Sequence, residues 1–422
     1  MTSRQQRATA TAGHPTAGPT GPKTTGRQTA GREKAARKKA AGTPAGGAGG
    51  REPEVLSPRA LGRATLARQL LLEPAESTVP EALEHLLGLQ AQNVRPPYFA
   101  LAARLARFRP EDLSAPMAGR QAVRSATLRS TLHTHTARDL LRLRPFVQPA
   151  KDRELHQFRK GLAGVDLDRL SALARELVED EPRTMAQLRT ALGAAWPDAE
   201  PRALAMAARS LLPLIQVTPR GLWGRGGQVA LTTAEKWLGR AAAEAVEPLG
   251  AEEAVRRYLA AFGPASVKDM GTWCGLTGLR AAFEELRPAL RVFRDEHGTE
   301  LFDLPEAPRP DPDTPAPPRF LPEYDNLLLS HADRTRVVPP VHRHRHVRGN
   351  QAFRTLLLDG FLAGLWRLDE DGVRPLLTVE LFEGASRAVR SGIEEEAGRL
   401  MSRMCAAGTG EVRFAAVAGP PG

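Results

Sequence analysis

The sequence predicts an α+β protein: three tandem winged-helix modules followed by a C-terminal β-rich subdomain. Three observations lead there. The order helix, helix, strand pair recurs along the chain, each strand pair closes on a polar or glycine-containing turn, and beyond Pro305 the pattern changes to short strands with one long amphipathic helix.

The chain opens with a basic segment. From Met1 to Arg51 ten lysines and arginines stand against Glu33, a net +9 of the chain's +11, and large apolar side chains are almost absent. Such a composition cannot bury a core, so residues 1–53 are expected to be disordered. Two roles stay open for them: a solvated tail, or an arm with salt-dependent, sequence-blind attraction to phosphate. The rest carries only about +2, so a DNA-facing surface on the folded body has to be a local patch.

Residues 54–150 read as the first module, with helices over Ser57 to Leu72, Val79 to Gln92 and Tyr98 to Phe108, and a wing over Val123 to His133. Pro80 suits a first helical turn. At the end of the second helix stand Gln90 and Gln92, flanking Ala91 just where the chain turns towards Pro96 and Pro97. Spacing alone allows the pair to be a simple cap on the helix end and a neighbouring loop. In the wing, His133 and His135 share a period of two; one of them is expected to hydrogen-bond inside the wing, with a catalytic histidine as the alternative.

Residues 151–240 form the second module. Thr184 and Gln187 have capping-box spacing, Pro201 to Leu212 supplies a helix, and Leu214–Thr218 and Gln228–Leu231 alternate as strands around the turn-rich Gly221 to Gly227. Residues 241–306 repeat the order: Ser266 to Met270 parallels Thr184 to Leu188, a helix runs from Leu279 to Leu290, and two strands, Arg291–Glu296 and Thr299–Leu304, flank His297-Gly298. Within residues 307–422, Ala307 to Phe320 is proline-dense and expected to be an extended linker. Ala352 to Leu368 is a hairpin about Asp359-Gly360, Pro375 to Phe382 a third strand, Ala385 to Cys405 a helix and Glu411 to Ala415 a last strand.

The run Val341-His-Arg-His-Arg-His-Val-Arg348 invites a metal reading. If extended, it puts His342, His344 and His346 on one face, but arginines interleave and no Cys, Asp or Glu falls within it. A basic loop or hairpin edge touching phosphate is favoured, a solvated loop stays open, and Arg343, Arg345 and Arg348 become candidates for DNA-backbone contacts. No metal and no cofactor is expected. The sequence has no Gly-rich phosphate loop, no Gly-x-Ser-x-Gly elbow and no His-Glu-x-x-His helix, so nucleotide hydrolysis, serine hydrolysis and zinc proteolysis lack support. No run reaches the roughly 20 apolar residues of a membrane span, and no apolar leader follows Met1; a cytoplasmic, nucleoid-associated protein is expected. Cys274 and Cys405 lie far apart and indicate neither a disulfide nor a zinc knuckle.

Five segments together resemble the AlkZ-like winged-helix DNA glycosylases. They are Gly88-Leu-Gln-Ala-Gln92 with Pro97-Tyr98, Leu128-Arg-Ser-Thr-Leu-His133, Phe262 to Met270 with Trp273, Leu321 to Arg334, and Leu358 to Arg367. Each is weak alone; in this order they span about Leu56 to beyond Phe382. The resemblance implies three winged helices around the C-terminal β-rich element, forming a C-shaped channel for duplex DNA. It also implies that the Gln-x-Gln pair, Gln90 and Gln92, is catalytic, in the branch that removes alkylated guanines, including bulky natural-product adducts.

An amide does not titrate near neutrality, so it can neither protonate a leaving base nor deprotonate water. Guanine alkylated at N7 is already cationic and departs as a neutral base, which leaves positioning and electrostatics to the protein. A glutamine carbonyl can hold a water and direct its dipole at the developing sugar cation. Neutral lesions such as uracil are therefore expected to be poor substrates. No lysine stands beside the motif, so a monofunctional enzyme that leaves an abasic site is expected. Arg129, Thr131 and His133 of the wing are candidate DNA contacts near the lesion. The expected partner is duplex DNA carrying alkylated guanine, with no membrane and a monomer sufficient. Two non-catalytic readings compete: a winged-helix regulator and a protein that binds damage without cutting.

Overall fold

Local signals start the helices. In the computed structural model, which describes residues 52–370, 372 and 374–415, Ser57 Oγ accepts from the Ala60 N–H and Pro58 fills the first turn of the helix Pro58–Arg68. Reciprocal capping boxes open three more: Thr78 with Glu81 ahead of Val79–His85, Thr184 with Gln187 ahead of Met185–Ala195, and Ser266 with Asp269 ahead of Val267–Cys274. The basic segment 1–51 lies outside the described residues.

The helix expected to reach Gln92 stops at His85. Leu87 and Gly88 take left-handed φ values of 57° and 88°, and the Gly88 N–H reaches back to the Leu83 carbonyl at 2.8 Å. A Cβ on Gly88 would sit 2.2 Å from His135 Nδ1, so glycine is what allows this reversal. Released from the helix, Leu89–Gln90 becomes a strand antiparallel to Leu132–Thr136, with Leu89 opposite Thr134 and Gln90 opposite His133. The glutamine pair thus starts on a sheet edge and not on a helix end.

That sheet has six strands, in the order Leu89–Gln90, Leu132–Thr136, Ala122–Ala126, Leu214–Gln216, Ala230–Thr233, Arg183–Thr184. Arg124 lies opposite Gln216 and Ser125 opposite Ile215, so the strand pairs expected in two separate modules are fused into one antiparallel surface. The hairpin expected in the third module, Arg291–Asp295 with Glu300–Asp303, gains Val55–Leu56 as a parallel third strand. The C-terminal sheet runs Arg319–Leu321, Thr355–Leu358, Phe361–Asp369, Leu376–Leu381, Glu411–Phe414, with the helix Arg387–Met404 packed against it.

Shared cores join these sheets. Tyr98, Phe99 and Leu101 from the first stretch pack with Phe320, Trp366, Leu377 and Val379 of the C-terminal sheet. Leu87 and Leu128 enter a second core with Tyr258, Phe262 and Trp273. The proline-dense segment expected to be a linker is pinned to the first helix: Arg63 Nε donates to the Thr314 carbonyl at 2.6 Å and Arg68 Nη2 to the Pro308 carbonyl at 3.1 Å. Two buried bidentate pairs, Arg68 with Asp303 and Arg104 with Asp325, satisfy charges that would be costly alone.

Candidate active site around Gln90 and Gln92

Leu87 and Leu128, one before the motif and one before Arg129, are both buried in the core that holds Trp273. Two backbone reversals are thereby anchored on the same mass of apolar side chains. The first delivers Gln90, 7% exposed, to the sheet edge and leaves Gln92 exposed two residues on. The second is the turn Thr127–Thr131, in which Arg129 and Ser130 take φ values of 52° and 58°.

Across this gap Arg129 Nη2 donates to Gln90 Oε1 at 2.6 Å and lies 3.4 Å from His133 Nε2, while Nη1 donates to the Trp273 carbonyl. His133 Nδ1 faces the Thr131 carbonyl at 3.0 Å. Burial and the charge of Arg129 hold His133 well below the usual histidine range, so it is neutral. His135 stacks on it, with ring centroids 5.7 Å apart, and pairs through Nε2 with Thr127 Oγ1 at 2.8 Å; burial lowers it to about 4. Both wing histidines therefore hydrogen-bond inside the wing, where one of the two was expected to. Burial, with the charge of Arg334 in the same direction, lowers the Arg129 guanidinium to about 10.

A second arginine grips the motif from below. Arg124, 2% exposed, donates from Nη2 to the Ala91 carbonyl at 2.6 Å, and its Nε and Nη1 have no hydrogen-bond partner among the described residues. Burial, then the charge of Arg220, pulls it to about 10. From the other side comes the segment Leu321 to Arg334. Asn326 Nδ2 donates to the Gly88 carbonyl at 2.7 Å, and Glu323 accepts from Asn93 Nδ2 at 3.2 Å and from Arg354 Nε at 3.0 Å. The motif is therefore held at Gly88, Gln90, Ala91 and Asn93. Among the described residues no hydrogen bond engages the Gln92 side chain, which is left to solvent.

The predicted residues thus fall into two groups. Gln90, Arg129 and His133 are in direct contact; Thr131 contributes its carbonyl, while its hydroxyl turns back to Leu128 at 3.1 Å. Arg343, Arg345 and Arg348 belong to another stretch: Arg343 and Arg345 lie in the turn that follows the short 3-10 helix Pro340–His342, and Arg348 on the hairpin Val347–Arg348/Gln351–Ala352. The histidine run is therefore not extended: His342 and His346 are buried, His342 against Phe382, and His344 is exposed. Arg345 stacks over Phe382 at 4.1 Å, and Arg343 Nε donates to His344 Nε2 at 2.8 Å. Tyr324 ties this hairpin to the motif's support, its hydroxyl donating to the Asn350 carbonyl at 2.8 Å. The charge of Arg334 bears on both Arg129 and His346.

Sequence reading missed Arg124, Arg334, Glu323 and Asn326. The last three were inside Leu321 to Arg334, whose density of polar residues around Leu327-Leu-Leu329 was the available signal. Among the described residues no cluster of three or more His, Cys, Asp or Glu is placed to hold a metal ion, and no helix is long and apolar enough to cross a membrane.

A family model described as DNA glycosylase AlkZ-like matches residues 83–403 of the chain. Among solved structures the fold is similar to the DNA glycosylase AlkZ of Streptomyces sahachiroi, with a TM-score of 0.68 at 21% identity, covering 86% of this chain and 100% of that one. At that identity the structural likeness speaks for the fold. No curated protein matches in sequence.

Proposed function

The chain belongs to the AlkZ-like DNA glycosylase family, and from that premise we propose that it hydrolyses the N-glycosidic bond of cationic N7-alkylated guanine in duplex DNA and leaves an abasic site. One observation carries the choice of substrate. Of the described residues that contact the glutamine motif, none offers an acid able to protonate a leaving base at neutral pH: Gln90 bonds Arg129, whose own neighbour His133 is neutral with its proton committed to Thr131. Glu323 reaches Asn93 and is occupied by Arg354. A base that is already cationic needs no such acid.

In this reading Gln90 and Gln92 are catalytic, and their work is electrostatic and positional. The exposed amide of Gln92 can order a water by its carbonyl and direct that dipole at the sugar as positive charge develops there. Arg129, Thr131 and His133 border the lesion, and Arg343, Arg345 and Arg348 contact the backbone further along. The order of helices followed by a strand pair over Leu167–Asp180 to Ala230–Thr233, and again over Ala251–Phe262 to Glu300–Asp303, supports winged helices in the second and third stretches; with the first they would make three, around a C-shaped channel for duplex DNA. In this reading three internal modules make a monomer sufficient.

Lys151 is linked to the Arg129 turn through contacts: its partner Glu154 also pairs with Arg209, which donates to the Ser130 carbonyl at 2.8 Å. It is fully buried, and burial lowers it to about 8. Closed off from a substrate, it leaves the monofunctional reading in place. The test is to incubate the protein with duplex containing N7-methylguanine and then treat with alkali. Breaks at the lesion only after alkali, with no borohydride-trapped protein–DNA adduct, are expected. A sequence-specific footprint without breaks would make the protein a regulator, and tighter binding to damaged duplex without base release would make it a damage-binding protein.

A further inference from the structure

The hydrogen-bonding capacity of Arg129 fixes the orientation of its neighbours. A guanidinium carries five N–H groups and no acceptor, so the Gln90 atom 2.6 Å from Arg129 Nη2 has to be the carbonyl oxygen Oε1. The same logic reaches His133, whose Nε2, 3.4 Å from Nη2, has to present a lone pair, leaving the proton on Nδ1 for the Thr131 carbonyl. Arg129 is itself immobilised. Nη1 donates to the Trp273 carbonyl, a Cβ on Gly275 would come within 3.2 Å of Arg129 Cα, and the Ser130 carbonyl accepts from Arg209 at 2.8 Å. Two successive non-glycine residues in the left-handed region persist only where the surroundings dictate it.

We propose that Arg129 is a positioning residue that makes the two glutamines unequal. With its carbonyl held inward by the guanidinium, Gln90 presents its NH₂ group to the substrate and donates a hydrogen bond to an oxygen of the lesion nucleotide, while Gln92 is the amide whose carbonyl addresses water. This inference rests on the glycosylase reading above and refines it, because that reading requires only that both amides be near the lesion.

Gln90→Glu separates the two roles. It preserves shape and strengthens pairing with Arg129 but deletes both N–H donors. The expected result is a fall of at least about tenfold in the single-turnover release of N7-methylguanine from duplex, with affinity for undamaged duplex unchanged. Retained or faster release would mean that the reaction uses an oxygen at this position, and would overturn the inference. A double-mutant cycle reads Arg129 itself. Arg129→Met should lower the release rate alone and add nothing in a Gln90→Ala background; falls that multiply would show Arg129 acting independently and would also overturn it. If the wild-type chain releases no N7-methylguanine, the substrate reading falls by itself. The thermal melts of the four cycle proteins then decide the pairing: non-additive losses in Tm sustain the Arg129–Gln90 coupling, and additive losses overturn it.

Discussion

Gln90 and Gln92 differ in everything but side-chain type: one is buried against a guanidinium, the other is free in solvent. At this scale the site stands on rigid neighbours, and the expected consequence is separable loss of chemistry. Gln92→Ala should lower single-turnover base release by about 10²-fold, the order typical for removal of one preorganised electrostatic group, while binding to undamaged duplex stays within twofold or so. An equal loss of affinity would mean that Gln92 binds DNA and does not act on the bond. Of this site the sequence disclosed Gln90, Arg129 and His133, which do meet. It could not disclose Arg124, whose grip on Ala91 depends on strand register, or Glu323, which approaches Asn93 across 230 residues of chain.

At the scale of elements, the most legible signals were those that close within a few residues. The capping boxes at Thr184 and Ser266 form, and Asp359-Gly360 makes its hairpin with φ values of 48° and 81°, both left-handed as that turn requires. Helices carrying an internal proline were hidden: Glu111–Ala118 with Pro116 and Ala137–Phe146 with Pro145 each lose one helical hydrogen bond there, but the proline stands in the last turn and few residues follow it. The reversal at Gly88 was hidden as well, because its close approach to His135 joins residues 47 positions apart in the chain. Gly88→Ala should therefore cost more than 2 kcal/mol or so in chemical unfolding, from left-handed strain plus a 2.2 Å overlap with His135 Nδ1. Gly164→Ala, at φ 76° but with nothing within 4 Å of the added Cβ, should cost only about 1 kcal/mol. Equal costs at the two sites would remove the packing part of this account.

Over the whole molecule, the sheets hold together through cores that ignore the sequence order of the modules, which is why tandem repeats read from the chain could not show them fused. Trp366 packs at 5.5 Å from Phe99 and donates its indole N–H to the Leu321 carbonyl at 2.9 Å. Trp366→Ala should destabilise by about 3–5 kcal/mol and should also impair excision, since the same core carries the segment that supports Gln92. Stability should fall with acid for a related reason. His135 titrates near 6.5 when unfolded but at about 4 in the fold, and His331, buried beside Arg336, is also held low. The unfolded chain binds more protons between about pH 6.5 and pH 4, so stability rises with pH across that window and is lost as pH drops through it. A Tm that stayed flat from pH 7 to pH 5 would contradict the buried neutral histidines. DNA affinity, in turn, should lose salt dependence in steps: each of Arg343→Ala and Arg348→Ala should reduce the slope of log K against log salt by about 0.9 if its guanidinium meets a phosphate.

The measurement closest to the centre compares leaving groups in one experiment: single-turnover release of N7-methylguanine and of uracil from otherwise identical duplexes at neutral pH. Rapid release of the charged purine with no enzymatic release of the neutral pyrimidine is the predicted outcome. Comparable release of uracil would contradict the account, because it would require a proton donor that Gln90, Gln92 and the neutral His133 cannot supply.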